Sequence, residues 1–469
     1  MTNEKSGSLL FFNRTNSAAL AFIVTGAFWF VTGTVYGLFS AIHLVSPEFF
    51  NNIPWLVFSR VRPTHVNTVL FGFVTTTLLG CGLFIVAAVL KTRLWSEPLG
   101  WAACFFWNLT IVSAFFTFPF GYSQGREYTE YLWPFDVSLV IAILLLMVNT
   151  FMTIAKRKEE GLYVSVWYYV GTLVWTAGFY PIGNVMWRPQ TGALPGIIDP
   201  IVHWYYGHSL PGLLLTPLAV GAAYYVIPRV TKTPLNSHTL SLVGFWTLVA
   251  FYTHIGGHHI LQIPIPNWLK VMSVVDSITM TVPVFVALAN LWLTSRGFGG
   301  RLLHDPAARI VIAGTVWYVI TCIQGPFQSI GVIQRVTHLN NWTVGHAHIA
   351  VLGFAGFIAL GTMWHVIPYI SSRRIWSLRL VNLQFGLVLA GLTGFFVELT
   401  IAGLVQGEAW DNGTVVYRVL PHIMPYMIAR AASGIMIITS AFVGFYNLLM
   451  TLNRGEPFDP RPMVMETEI

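Results

Sequence analysis

An all-α, polytopic membrane fold of twelve helices is predicted by three observations. Of 469 residues, 55% are hydrophobic and only 9% are charged, whereas a soluble domain carries about 25% charged residues. The mean hydropathy is +0.66. Apolar runs long enough to cross a bilayer, roughly 20 residues each, recur along the whole chain. No linker or change of composition divides them, so residues 1–469 read as one membrane domain. The first apolar run starts late and lacks an Ala-x-Ala site, so no cleavable leader is expected. There is no low-complexity tract, and no internal repeat clear enough to use.

The twelve runs begin near residues 17, 66, 100, 135, 163, 201, 238, 270, 307, 345, 376 and 424. Their orientation follows from the basic residues between them. The termini and the even loops hold seventeen Lys and Arg, including Lys5, Arg14, Lys91, Lys156, Arg229, Arg301, Arg373 and Arg461. The other face holds eight: Arg60, Arg62, Arg126, Arg188, Lys270, Arg335, Arg418 and Arg430. Cytoplasmic loops carry the excess of basic residues, so both termini are expected in the cytoplasm. The net charge of +7 is thereby a topology signal, and nothing points to nucleic acid; the expected surroundings are membrane lipid. Cys81, Cys104 and Cys322 form no Cys-x-x-Cys pair, so the sequence supports neither a thiolate metal site nor a disulfide framework. Without Cys-x-x-Cys-His there is no covalently attached c-type heme either. Electrons for any buried centre must come from another polypeptide or a mobile donor.

Histidine placement carries the chemistry. His65, His208, His258, His259, His346 and His348 all lie in or at the ends of apolar runs, where a polar imidazole is costly unless something binds it. On the topology above, His65 opens helix two from outside and His208 lies two turns into helix six. His258 and His259 lie near the outer end of helix seven, and His346 and His348 open helix ten. All six therefore fall in one layer of the outer half of the membrane. His65 or His208 alone would read as an ordinary core histidine; the two pairs read as ligands.

The spacing divides them. Residues two apart on a helix point about 200° apart, so His346 and His348 serve two metals on opposite faces. His258 and His259, about 100° apart, can share one metal if the helix is distorted, which Gly256 and Gly257 favour. With His208 they make a three-histidine copper site with an open position. His203, His238 and His254 read as supporting or interfacial residues, and His43, His304, His338, His365 and His422 as structural ones near loops or helix ends.

The segments RVRPTHVNTVLFGF (60–73), HWYYGHSLPGLLL (203–215), FYTHIGGHHILQIPIPNWLK (251–270) and WTVGHAHIAVLGFAGF (342–357) resemble subunit I of the cbb3-type cytochrome c oxidases, the C family of heme-copper oxidases. EYTEYLWP (127–134) and QGPFQS (324–329) match further family segments, and the likeness spans nearly the whole chain. The resemblance implies that His65 and His348 are the axial ligands of a low-spin heme b, and that His346 is the proximal ligand of a high-spin b-type heme. It implies that His208, His258 and His259 hold the copper, and that Tyr252 is joined covalently to His208. It also implies heme-propionate roles for Arg62, Arg60, Arg430 and His338, and a calcium site at Glu127. For Arg60 an ordinary loop arginine, and for Glu127 a capping carboxylate, remain the alternatives.

Two departures from the family pattern stand out. Gln324 occupies the place of a usual glutamate, and an amide cannot carry a proton as a carboxylate does. Gly244 stands where many relatives have a histidine. Both bear on the proton path, for which Ser241, Thr247, Thr315 and Tyr318 are the remaining candidates; each equally suits an interhelical hydrogen bond. The expected function is reduction of O2 to water, fed by c-type cytochrome subunits or a cytochrome c donor and coupled to proton translocation. The alternatives are nitric oxide (NO) reduction within the same superfamily, which Gln324 keeps open, and a diheme cytochrome b electron carrier, which would not explain His258 and His259.

Overall fold

The computed structural model describes residue 12 and residues 14–459. Lys5 and Arg461 of the charge asymmetry lie outside the described residues. Twelve long helices run in order: α1 (Ser17–Val45), α2 (Phe58–Val89), α3 (Glu97–Phe120), α4 (Trp133–Ala155), α5 (Val164–Gly183), α6 (Ile198–Thr231), α7 (His238–Ile260), α8 (Asn267–Thr294), α9 (Pro306–Ser329), α10 (Asn341–Ser371), α11 (Leu378–Asp411) and α12 (Val416–Arg454). Eleven are long and apolar enough to cross a membrane. The other, α5, spans 20 residues without a charge, and its Trp, Tyr, Thr and Gly content lowers its hydropathy. Among the described residues there is no strand, only an isolated bridge between Arg373 and Pro457.

Several helices begin earlier than their apolar runs. α2 starts at Phe58, not near 66, because Arg60, Arg62 and Pro63 continue the helix outward past the apolar run. His65 therefore sits about two turns inside α2 instead of opening it. α12 starts at Val416 and not near 424, and its 39 residues make a rod of about 58 Å at 1.5 Å per residue, longer than the hydrocarbon core.

Hydrogen bonds between loops bear out the alternation of ends. Odd loops meet odd loops: Arg126 reaches Gly183 and Gly192, Gln262 reaches Gln334, and Arg335 reaches Asp411. Even loops meet even loops or the chain's last described segment: the amide of Lys158 donates to Leu90, and Arg373 donates to Gly455.

The structure also shows a repeat that the sequence reading missed. Three groups of four helices, α1–α4, α5–α8 and α9–α12, share one inner-end clamp. The second helix of each group ends next to a left-handed residue, Lys91 (φ 49), Lys232 (φ 57) or Ser372 (φ 55). Five residues later, Ser96, Ser237 or Ser377 caps the third helix. An asparagine of the fourth helix then pairs with both backbone groups of that serine: Asn149 with Ser96 at 3.0 and 2.8 Å, Asn290 with Ser237 at 2.9 and 2.8 Å, and Asn447 with Ser377 at 3.2 and 2.9 Å. One turn on, Thr153, Thr294 or Thr451 accepts the preceding amide. The repeat escaped the sequence reading because hydrogen-bond roles recur while the apolar residues between them do not.

The second helices of the three groups form the centre. The apolar windows of α2, α6 and α10 are 89%, 94% and 78% buried, against 56% or less for the other candidate spans. Each also widens into a π-helical stretch, at Thr68–Thr75, Leu210–Leu215 and Ile349–Gly356. Hydroxyls of Thr75, Thr76 and Thr216 donate five residues back, to Leu70, Phe71 and Pro211, at 2.8 Å each. Such turns mark functional positions in helices, and here each follows directly on the predicted ligands.

Candidate functional site

The six histidines form two clusters joined through α10. His65 of α2 and His348 of α10 face each other, with ring centroids 6.2 Å apart and planes within 18°. The His65 Nδ1–H donates to the carbonyl of Gly33 in α1 at 2.8 Å, and that of His348 to Val344 at 2.8 Å. Committing Nδ1 to a carbonyl fixes the tautomer and leaves each Nε2 as a free ligand. Metal–imidazole bonds of about 2 Å on both sides would hold the two rings about 6 Å apart, as observed. The residues present therefore fit a bis-histidine heme.

The second cluster is His208, His258 and His259, whose candidate ligand nitrogens all lie within 4.8 Å of one another. His208 Nδ1 and His259 Nε2 approach to 2.8 Å. His258 Nδ1 lies 2.8 Å from Ser277 Oγ of α8. That hydroxyl spends its own hydrogen on Ser273, so it accepts from Nδ1 and leaves His258 Nε2 free. Regular helix in α7 ends at Tyr252, and His258 and His259 sit on a tighter 3₁₀ segment, Ile255–Ile260. This is the distortion that two adjacent ligands required. Gly256 permits it, because a Cβ there would come within 2.0 Å of the Trp204 carbonyl. Trp204 in turn stacks on His259 at 4.1 Å.

On a regular helix Tyr252 would lie two turns from His259 and on the same face. The break after Tyr252 replaces that geometry, yet the phenol still arrives at the site: its ring stacks on His208 at 5.2 Å and 16°. It lies flat against Gly212, where a Cβ would come within 1.7 Å of the ring.

His346 points to the opposite side of α10 from His348. It lies close enough to His208 for their charges to interact, and its ring stacks with Trp342 at 5.7 Å. Its Nδ1–H donates to Gln324 Oε1 at 3.2 Å, leaving Nε2 free. Gln324 thus belongs to His346. The sequence reading had placed its consequence on the proton path.

Arg430 is buried, with its Nε unpartnered. Its guanidinium lies 5.1 Å from the Phe395 ring, which packs 4.4 Å from His348. A buried guanidinium with an unpartnered Nε near the paired histidines suits a carboxylate ligand. Arg62 pairs with Glu127 at 2.5 Å, and Arg60 donates to the carbonyl of Pro119 at 2.8 Å. The buried Nδ1 of His338 has no partner, and burial lowers that imidazole's pKa. Within reach of the Arg62 charge, Glu130 accepts from Asn67, and burial pushes its carboxyl up to about 7 against that bond.

Of the proton-path candidates, Ser241 and Thr247 turn their hydroxyls onto their own helix. Thr315 donates to Ile312 and accepts from Trp292. Tyr318 stacks on Phe354 at 3.9 Å. Sequence reasoning missed Ser277, Gln334 (which donates to the carbonyl of His258 at 2.7 Å) and Tyr168, whose hydroxyl lies 3.3 Å from where a Cβ on Gly244 would stand. No spacing signal marks these three, since they come from helices or loops remote in sequence.

The profile of the family described as "Cytochrome C and Quinol oxidase polypeptide I" matches residues 17–436. A "Cytochrome c oxidase subunit 1 homolog" of Agrobacterium tumefaciens (strain T37) is 30% identical over 92% of this chain and 82% of its own length. The "Cbb3-type cytochrome c oxidase subunit CcoN1" of Stutzerimonas stutzeri is 28% identical over 93% of this chain and 94% of its own. In fold, a solved heme-copper terminal oxidase dimer superposes with a TM-score of 0.78 at 17% identity, covering 94% of this chain and 84% of the other. With a profile match over most of its length and a relative at this identity, the chain belongs to the cytochrome c and quinol oxidase polypeptide I family.

Proposed function

We propose that this chain is the catalytic subunit of a cbb3-like terminal oxidase that reduces O2 to water in a bacterial-type inner membrane. The observation that carries this reading is the division of six histidines into a parallel pair, a trio and the single His346, with a phenol stacked on the trio. When bound, a low-spin b heme, a high-spin b heme and copper would supply electron storage and an oxygen-binding centre. His65 and His348 would hold the first, His346 the second, and His208, His258 and His259 the third.

The protein's own part is positioning and proton supply. Carbonyls of Gly33 and Val344 orient the paired histidines, and Ser277 and Gln324 orient one histidine on each side of the reacting space. Tyr252 is the group that touches the reacting atoms: its hydroxyl holds a proton beside His208, and each O2 requires four protons with four electrons. The family resemblance further implies a covalent link between Tyr252 and His208, whose ring centroids lie 5.2 Å apart. Arg62, Arg430 and His338 are assigned to the heme carboxylates, with Arg60 bracing the outer end of α3 through the Pro119 carbonyl. Glu127 is assigned as one oxygen ligand of a calcium ion, which takes six to eight in all. The electron donor would be a cytochrome c or a c-type cytochrome subunit, reached from the outer face.

Two results test the reading. Purified protein should contain copper and two b hemes and turn over O2 in preference to NO. Iron in place of copper, or preferential NO turnover, would support the nitric oxide reductase reading. No carboxylate joins the histidine trio among the described residues, which favours O2. Tyr252→Phe should leave both heme spectra intact and lower turnover about 10²–10⁴-fold, the usual scale for a lost proton donor; near-normal turnover would remove Tyr252 from the active site.

A further inference from the structure

The outer half of the protein holds a buried acid that the oxygen chemistry above does not use. Asp136, in the first turn of α4, is 0% exposed. Its Oδ1 accepts from the Tyr180 hydroxyl of α5 at 2.8 Å, and its Oδ2 has no partner. Three more buried atoms around it are unpartnered: Tyr131 Oη, Asn184 Oδ1 and Arg126 Nε. These groups belong together. Arg126, Tyr131 and Tyr206 all lie close enough to Asp136 to feel its charge. Tyr180 packs on Tyr206 at 5.8 Å, and Asn184, one turn beyond Tyr180, donates to its carbonyl.

Counting donors and acceptors shows what is missing. Asp136 Oδ2 and Asn184 Oδ1 each need a donor, Arg126 Nε–H needs an acceptor, and the Tyr131 hydroxyl can serve either way. Buried polar groups are almost always satisfied. One or two internal waters, each taking two to four such partners, would complete all four. The cluster also has two ends. Toward α2, Tyr131 and Tyr180 both edge against Phe71, at 6.0 and 6.2 Å, on the helix that carries His65. Toward the outer surface, Arg126 pairs with the part-exposed Asp199 at 3.2 Å.

We propose that Asp136, with Tyr180, Tyr131, Asn184 and Arg126, forms a hydrated proton-holding site that takes up a proton during heme reduction and releases it past Arg126 and Asp199 to the outer face. The step is a proton transfer alone: the carboxylate gains a proton through the internal water and later loses it, with no other bond changed. An electron arriving in a low-dielectric interior favours proton binding nearby, which is the driving force. That driving force rests on the oxidase reading. Facing Asp136 are Tyr180 from α5, Tyr206 from α6, and Tyr131 and Arg126 from the preceding loop; Glu130, held by Asn67, is the next acid along.

The test uses the purified holoenzyme in lipid vesicles. Asp136→Asn should leave oxygen consumption little changed while most of the proton ejection per electron is lost. In infrared difference spectra of mediator-driven heme reduction, a carboxylic-acid carbonyl band should disappear in Asp136→Asn and shift in Tyr180→Phe, which loses only the hydrogen bond. Unchanged proton ejection and an unchanged band in Asp136→Asn would overturn the proposal, as would a wild-type protein that ejects no protons. If Asp136→Asn does not accumulate, the Tyr180→Phe band shift decides. A wild-type protein that consumes no oxygen would defeat the oxidase reading instead; the infrared band, which needs no oxygen, would still decide for or against Asp136.

Discussion

The parallel pair, His65 and His348, and the trio, His208, His258 and His259, sit in one layer of one fold but are built in opposite ways. Both members of the pair stand on helices that continue past them, and both are oriented by backbone carbonyls. The trio draws two members from a 3₁₀ segment after a helix break, and His258 is oriented by a serine side chain. A backbone carbonyl survives most substitutions of its residue; a side-chain acceptor does not. The pair suits a centre that only passes electrons and must not move. The trio needs an open coordination position and a phenol at its side, which regular helix geometry does not supply to two consecutive histidines.

That contrast can be broken or sharpened by substitution. The largest effect is expected for His348→Ala, which should abolish the low-spin heme spectrum and stop electron delivery while copper content holds. If the low-spin spectrum survives, the pairing with His65 is wrong. Next, Ser277→Ala should weaken copper binding about 10–100-fold, the usual cost of losing a group that orients a ligand, and leave the low-spin heme unchanged. No carbonyl can be deleted in that way, so Val344→Ala, which keeps the His348 acceptor, should barely shift the low-spin heme's potential.

A smaller effect should come from Gln324→Glu. A carboxylate accepting from His346 Nδ1 makes the imidazole a stronger ligand and favours oxidised iron. The high-spin heme's midpoint potential should fall on the order of 60 mV for each tenfold bias, with the low-spin potential unmoved. A rise, or an equal shift in both hemes, would contradict the assignment of Gln324 to the proximal histidine.

The smallest effect concerns the rim of the pair. Glu130 has its pKa raised to about 7 by burial, so the folded protein holds that proton more tightly than the unfolded chain. Its contribution to stability is complete below the usual carboxylate range and is lost as pH rises through about 7. Thermal stability should therefore decline across that window in the wild type and decline less in Glu130→Gln. Equal slopes would show that Glu130 is not buried as described.

Much of this was legible without coordinates, and for a physical reason. A bilayer admits few backbone solutions, so apolar run length and loop charge set helix number and direction, and direction set the depth of each histidine. The two-residue spacing of His346 and His348 on a helix then forced them onto different faces, as observed. What was misread came from interrupted periodicity. The early start of α2 hid behind Arg60, Arg62 and Pro63, and the break after Tyr252 ends the helical face it would otherwise share with His259. The threefold clamp of Asn149, Asn290 and Asn447 was invisible because it is written in hydrogen-bond roles.

The sequence by itself determined an all-α membrane protein, the layer in which its histidines lie, and the separation of one α10 histidine from the other. Those follow from one-dimensional quantities: hydropathy, charge and the helical angle per residue. Only the tertiary structure decided what each histidine leans on. Gly33 for His65, Ser277 for His258 and Gln324 for His346 all come from other helices, as does the Tyr180 hydroxyl that meets Asp136. Such partners depend on how helices pack in the plane of the membrane, and no spacing within one helix encodes that.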